Sequence, residues 1–164
     1  MAPRFDLVAP GLAAVERYRP DLLVVELLRG QRPFSGLLEQ VDWRLCGLVS
    51  RWVERGRVTG ALGELLLVHP GRHLRCAYLL VVGIGAMEEV SSLSCNRLLD
   101  DIVGVCDGLR LGSVALPLPG CSTGRVRPAV AAQLLAIRVD RRPLRVIAVA
   151  RDHLHVEIAA TLAQ

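Results

Sequence analysis

Two kinds of apolar spacing alternate along this chain. The run Ala77-Tyr78-Leu79-Leu80-Val81-Val82-Gly83-Ile84-Gly85 is apolar throughout, with no polar alternation. A strand that is apolar toward both sides must be covered on both faces, which predicts a central strand of an α/β sheet. Gly83 and Gly85 are read as residues that let the backbone turn out of the strand without Cβ clashes. A helix is expected to follow, from about Met87 to Leu109, with Val90, Leu98, Ile102, Val105 and Leu109 facing inward. Leu22 to Leu28, opened by Pro20-Asp21, has the same unalternated character and predicts a second buried strand. Shorter strands are expected at Arg4–Val8, on an edge, and at Glu64–Val68, Ser113–Leu116 and Leu144–Ala150.

Between these strands the period changes. Phe34, Leu37, Leu38, Val41, Leu45, Leu48, Val49 and Trp52 fall at i, i+3, i+4, i+7 spacing and predict one long helix. Ser35 is its expected N-cap and Gly56 its expected C′ glycine. Gly11 to Arg19 reads as a loop or one short helix. Pro128 suits the first position of a helix running to about Ile137. Asp152 is placed to cap a closing helix carrying Leu154, Ile158 and Leu162. Strands alternating with helices predict a three-layer α/β/α sandwich on a mixed sheet of about six strands. The link between the first two strands is too short for a crossover helix, so part of the sheet is expected to be antiparallel. The 164 residues are read as one domain, long enough to bury a core without staples.

Composition refines this picture. Hydrophobic residues make up 52% and aromatics only 4%, so the core is one of Leu, Val and Ala. No apolar run approaches the ~20 residues needed to span a bilayer, and no secretory leader is apparent, so the expectation is a cytoplasmic protein without membrane contact. Five cysteines without C-x-x-C spacing argue against a disulfide framework or zinc ribbon. Cys121 is the one expected to be exposed and reactive, the others being small core residues. The net charge of +4 comes with no lysine, and the arginines are scattered among acidic residues. Without a concentrated basic patch, nucleic acid is not the expected partner.

The best candidate site is the loop Gly120-Cys121-Ser122-Thr123-Gly124-Arg125-Val126-Arg127. Small residues ahead of a helix N-terminus present backbone N–H groups to an anion. Arg125 and Arg127 would add charge-assisted hydrogen bonds, with Gly120, Ser122, Thr123 and Gly124 forming the cradle. The loop follows a strand's carboxyl end, where open α/β sheets bind ligands. A surface loop without a ligand is the other reading. Gly83-Ile84-Gly85 begins like a dinucleotide fingerprint, but Glu88 stands at the third glycine position, and a tight strand-to-helix turn explains it better. His69 and His73, like His153 and His155, have no carboxylate or cysteine partners nearby in sequence, so no metal and no cofactor are expected. Ser122 lies in no nucleophile elbow, and no catalytic residue is assigned. Trp43 lies off the apolar stripe of its helix. It marks either a contact surface or packing against the N-terminal segment.

The order of elements resembles a known family. Asp21-Leu22-Leu23-Val24-Val25, the helix carrying Val41-Asp42, Gly63-Glu64-Leu65-Leu66-Leu67 and Leu80-Val81-Val82-Gly83-Ile84-Gly85 resemble the N-terminal, macrodomain-like domain of cytosol (leucyl) aminopeptidases. Ser113-Val114-Ala115-Leu116-Pro117 through Ser122-Thr123-Gly124 and Pro128-Ala129-Val130-Ala131-Ala132 look like the second half of macrodomains. The first resemblance implies that metals and catalytic residues, a lysine among them, belong to a separate C-terminal domain. This sequence has no lysine and no Asn-Thr-Asp-Ala-Glu-Gly-Arg motif, so it is expected to be a non-catalytic stand-alone relative. It would act as a binding or assembly module, as a homo-oligomer or with a protein partner. The second resemblance implies an alternative, a binder or hydrolase of ADP-ribose or a related nucleotide, with phosphate contacts on the Ser122-Thr123-Gly124 loop. Against it, Leu27-Leu28-Arg29-Gly30-Gln31-Arg32 lacks the asparagines and glycine run of the macrodomain first loop.

Overall fold

The computed structural model describes residues 4–163. Its strands are β1 (Arg4–Val8), β2 (Leu22–Leu28), β3 (Leu65–Val68), β4 (Tyr78–Gly85), β5 (Ser113–Pro117) and β6 (Arg145–Val149). They form one sheet in the order β1-β6-β5-β2-β4-β3. All neighbours are parallel except β3, which runs antiparallel to β4. The helices are α1 (Leu12–Glu16), α2 (Gly36–Arg44), α3 (Leu48–Glu54), α4 (Ser92–Gly108), α5 (Pro128–Val139) and α6 (His155–Leu162).

The unalternated runs do what their composition requires. In β2 and β4, Leu22, Val24, Leu80, Val82 and Ile84 pack with Leu98, Ile102, Ala131, Leu135 and Ile158 of α4, α5 and α6. The intervening Leu23, Val25, Leu79 and Val81 pack with Leu12, Val15, Leu38, Val41 and Val49 of α1, α2 and α3. The result is the expected α/β/α sandwich on a mixed six-stranded sheet. Leu79 to Val82 is interior and buried on both faces, but it is not central. β4 is next to the edge, and β2, between β5 and β4, lies nearer the middle. Burial on both faces reports coverage by helices, which here extends to the penultimate strand.

Several local expectations need correction. The antiparallel strand is β3, not one of the first two: β1 pairs in parallel with β6, so the short link after it never has to join adjacent strands. The long helix from Phe34 is two helices, broken where Cys46 and Gly47 take positive φ of 55° and 76°. Ser35 holds the N-cap position without a side-chain cap bond, whereas Gly56 is the residue just past the C-cap of α3. Asp42 makes the break favourable, accepting hydrogen bonds from Ser50 N–H (3.1 Å) and Ser50 Oγ (2.5 Å), so it caps α3. The apolar stripe survives because the break redirects the helix without turning its face.

The helix expected from Met87 begins at Ser92, after a separate 3-10 turn at Met87–Glu89. Ser91 and Ser94 cap it reciprocally, Ser94 N–H donating to Ser91 Oγ at 3.1 Å and Ser91 N–H to Ser94 Oγ at 2.9 Å. Asp152 begins a 3-10 turn, and α6 starts only at His155, with Leu154 at its N-cap. Gly83 has a different purpose from the one predicted. A Cβ there would lie 2.1 Å from the Ala61 carbonyl oxygen, so Gly83 admits the segment running into β3. Gly85 does adopt φ +84°, and a Cβ would meet the Glu89 carboxylate at 2.7 Å.

Candidate functional site

The loop after β5 lies over the carboxyl end of the sheet, where the sequence placed it. Gly120, at φ 79°, leads into a 3-10 turn, Cys121–Thr123, and Gly124, at φ 77°, leaves it. Pro128 then opens α5 at its first turn. What holds this loop is a residue that sequence reasoning passed over. Glu26 of β2 accepts a hydrogen bond from Gly120 N–H at 2.8 Å and another from Ser122 Oγ at 3.1 Å. The signal was present: Glu26 is the one charged residue of Leu22–Leu28, and a carboxylate in a strand covered on both faces needs partners.

The other members of the cradle are also engaged. Thr123 Oγ1 donates to the Gly120 carbonyl at 2.7 Å, and Arg125 N–H donates to Thr123 Oγ1 at 3.2 Å. Cys121, Thr123 and Gly124 donate their N–H groups to carbonyls within the loop. Arg125 turns its Nε to the Val90 carbonyl at 3.0 Å, tying the loop to the entrance of α4. Arg127 is exposed at the N-cap of α5, without a side-chain cap bond. The structure therefore brings Gly120, Ser122, Thr123, Gly124 and Arg125 together, with Gly120 N–H, Ser122 Oγ, Thr123 Oγ1 and Arg125 Nε engaged within the chain.

Loss of water around the partly buried Glu26 dominates the electrostatics here. It pushes the Glu26 carboxyl up to about 7, against the opposing hydrogen bonds from Gly120 and Ser122. Cys95 of α4 is buried, and burial, with the Glu26 charge adding to it, pushes its thiol up to about 12. Cys121 is half-buried, and burial again raises its thiol, with Cys95, Glu26 and Glu157 adding to the rise. Cys121 is thus not the exposed cysteine; that position falls to Cys46, at the break between α2 and α3.

The second region is the outer face of α2. Trp43 is 79% exposed. It lines an open hollow between α1 and α2 together with Leu12, Ala13, Gln40 and Arg44. The hollow is built firmly, because Leu12 N–H donates to Gln40 Oε1 at 2.8 Å and Arg44 pairs with the buried Glu16 at 3.2 Å. Among the described residues Trp43 borders Leu12 and Ala13 of the N-terminal segment without being buried by them. The histidines stay apart: His155 Nε2 lies 2.7 Å from the Ala150 carbonyl, and His69 accepts from Gly71 N–H at 3.2 Å. Among the described residues no three metal-binding side chains gather, and no helix is long and apolar enough to cross a membrane. Glu89, beside the supposed fingerprint, caps Ala86 N–H at 2.7 Å, where a pyrophosphate would otherwise sit.

Comparison with known proteins agrees with this architecture. The family model described as the cytosol aminopeptidase family, N-terminal domain, matches residues 25–142. A probable cytosol aminopeptidase of Pseudomonas fluorescens is 29% identical over 103 residues, which is 63% of this chain and 21% of that protein. The chain thus spans about a fifth of the length of that relative. A mutant of tomato leucine aminopeptidase superposes with a TM-score of 0.63 at 18% identity, covering 99% of this chain and 35% of that one. The macrodomain of Mycobacterium tuberculosis DarG gives a TM-score of 0.72 at 17% identity, covering 92% of this chain and all of that one. The Trypanosoma brucei macrodomain in complex with ADP gives 0.70 at 14% identity, covering 97% and 67%. At these identities the structural likenesses establish the macrodomain-like fold.

Proposed function

This chain belongs to the cytosol aminopeptidase family through its N-terminal domain, and from that premise we propose that it is a non-catalytic binding or assembly module acting through protein–protein association. The observation that carries the proposal is Trp43, 79% exposed on a helix whose neighbours are fixed by the Glu16–Arg44 pair. A large aromatic left in water on a rigid face is the kind of residue that anchors interfaces. A second copy of the chain is the occupant to test first. Analytical ultracentrifugation at micromolar concentration is expected to show a dimer or larger species, and Trp43→Ala is expected to shift it toward monomer. A wild-type chain that stays monomeric at high concentration sinks the proposal.

A second reading, binding of a phosphate or nucleotide at the Gly120–Arg127 loop, draws on the fold shared with an ADP-bound macrodomain and on the loop's place at the carboxyl end of β5. Glu26 weighs against it, because its carboxylate already takes the Gly120 N–H and adds negative charge where a phosphate would go. Calorimetry with ADP-ribose decides. Binding that is lost in Arg127→Ala supports this reading, and no heat at millimolar ligand removes it. Peptidase activity is not proposed for these residues. With zinc or manganese added, the purified chain is expected to leave leucine p-nitroanilide intact.

A further inference from the structure

We propose that the hollow at the amino end of β2 and β4, at the opposite end of the sheet from the Gly120–Arg127 loop, binds a small molecule that carries two or more phosphate groups. The hollow has a volume of about 480 Å³ and is lined by Arg19, Pro20, Asp21, Arg75, Cys76 and Ala77. Arginines that are scattered in sequence are gathered here by topology. β5, β2 and β4 are adjacent and parallel, so the links entering them lie side by side, about 10 Å across at the usual strand spacing. The link into β2 carries Arg17 and Arg19, the link into β4 carries Arg72 and Arg75, and the link into β5 carries Arg110.

All five arginines are exposed, and among the described residues none of their guanidinium groups has an ion-pair partner. The nearby carboxylates are committed elsewhere. Glu16 is buried, taking Arg44 at 3.2 Å and the Arg75 N–H at 3.0 Å, and Asp107 pairs with Arg142 at 3.2 Å. Asp21, on the wall of the hollow, accepts from Gly112 N–H at 2.8 Å and from Ser113 N–H at 3.0 Å. The hollow therefore sets two guanidinium groups against one carboxylate, with three more arginines on the same links. Structural needs account for only part of this. Arg19 and Arg110 follow α1 and α4, and a cation suits a helix C-terminus. Yet both adopt positive φ, 44° and 54°, where glycine is the usual residue. Arg72 and Arg75 follow a strand, so no helix end calls for them. A guanidinium fork meets phosphate oxygens two at a time. Two forks in one concave site suit an anion with oxygens on neighbouring centres, and the concavity favours a compact anion over an extended strand.

The test is calorimetry with inorganic pyrophosphate at low salt, on the wild-type chain, Arg75→Gln, Arg19→Gly and Arg127→Ala. Pyrophosphate is expected to bind the wild type, and to bind Arg75→Gln and Arg19→Gly at least about tenfold more weakly. Glycine suits the backbone at position 19, so Arg19→Gly is expected to keep the fold, checked by circular dichroism. Arg127→Ala is expected to change the affinity less than about twofold, since it lies at the other end of the sheet. No heat at millimolar pyrophosphate, or equal binding in all four chains, overturns the proposal. Loss confined to Arg127→Ala moves the anion to the Gly120–Arg127 loop and overturns it as well. So does a single-stranded oligonucleotide that binds more tightly than pyrophosphate at equal phosphate concentration. Should one of the two hollow variants fail to fold, the other decides by the same comparison. A monomer can bind pyrophosphate, so this outcome is separate from that of the assembly reading.

Discussion

The loop over the carboxyl end of the sheet and the outer face of α2 reverse each other's appearance. The loop has the composition of a ligand site, yet several of its donors are engaged within the chain, on Glu26, on Thr123 and on carbonyls of its own backbone, and Arg125 Nε is engaged on Val90. The α2 face has no ligand-like composition, only Trp43 off its apolar stripe, and it leaves that ring in water beside an open hollow. The difference teaches that polar groups can be satisfied within the chain by short, directional bonds. An apolar ring left on an exposed helix face has no such internal remedy. The first region has closed on itself, and the second remains open.

The largest expected effect tests how tightly the closed region is closed. Glu26 has a folded-state ionisation raised from 4.5 to about 7, so its contribution is stabilising below the unfolded value and is lost as pH rises through the folded one. Relative to wild type, Glu26→Gln should therefore gain stability by roughly 3 kcal/mol between pH 4.5 and 7.5, read from urea unfolding at each pH. A constant difference across that range would mean that the carboxylate is already solvated in the folded chain. The next effect tests the open region. Trp43→Ala should weaken self-association more than tenfold, at least about 1.4 kcal/mol, while unfolding stability shifts by no more than about 0.5 kcal/mol. A large loss of stability would place the ring in the fold rather than at an interface.

Arg125→Ala comes third. It removes the Nε bond to the Val90 carbonyl and should cost about 1 kcal/mol in urea unfolding. A neutral result would show that the arginine is free for a ligand after all. Smallest is the contrast between two thiols. A maleimide at neutral pH should modify Cys46 first and Cys121 slowly, by mass spectrometry of partial digests, because burial raises the Cys121 thiol. Equal rates would mean that the loop opens often.

Much of the fold was legible because its signals are local. Leu79 to Val82 and Leu22 to Val25 announce strands covered on both faces, and Pro128 and Gly56 mark helix ends through their own backbone preferences. The candidate site was half legible. Gly120 to Arg125 could be picked out by composition, but whether an N–H is free depends on what approaches it. Glu26 stood out as a lone charge in an apolar strand, yet nothing near it in sequence names Gly120 as its partner. The break at Gly47 was hidden for a similar reason. A 3.6-residue period continues through a kink that keeps the same face inward, and the Asp42 cap that favours the kink bonds Ser50, eight residues on.

By itself, then, the sequence determined which segments become strands and helices and which of their faces are apolar, because those properties follow from side chains and backbone preferences within a few residues. The tertiary structure alone decided that β4 lies beside an edge and β1 runs parallel to β6, since strand order is set by how whole layers pack. It also decided that Glu26 closes the loop that the sequence offered to a ligand, and that Trp43 stays uncovered. Both depend on contacts between segments far apart in the chain, and short-range order carries no record of those contacts.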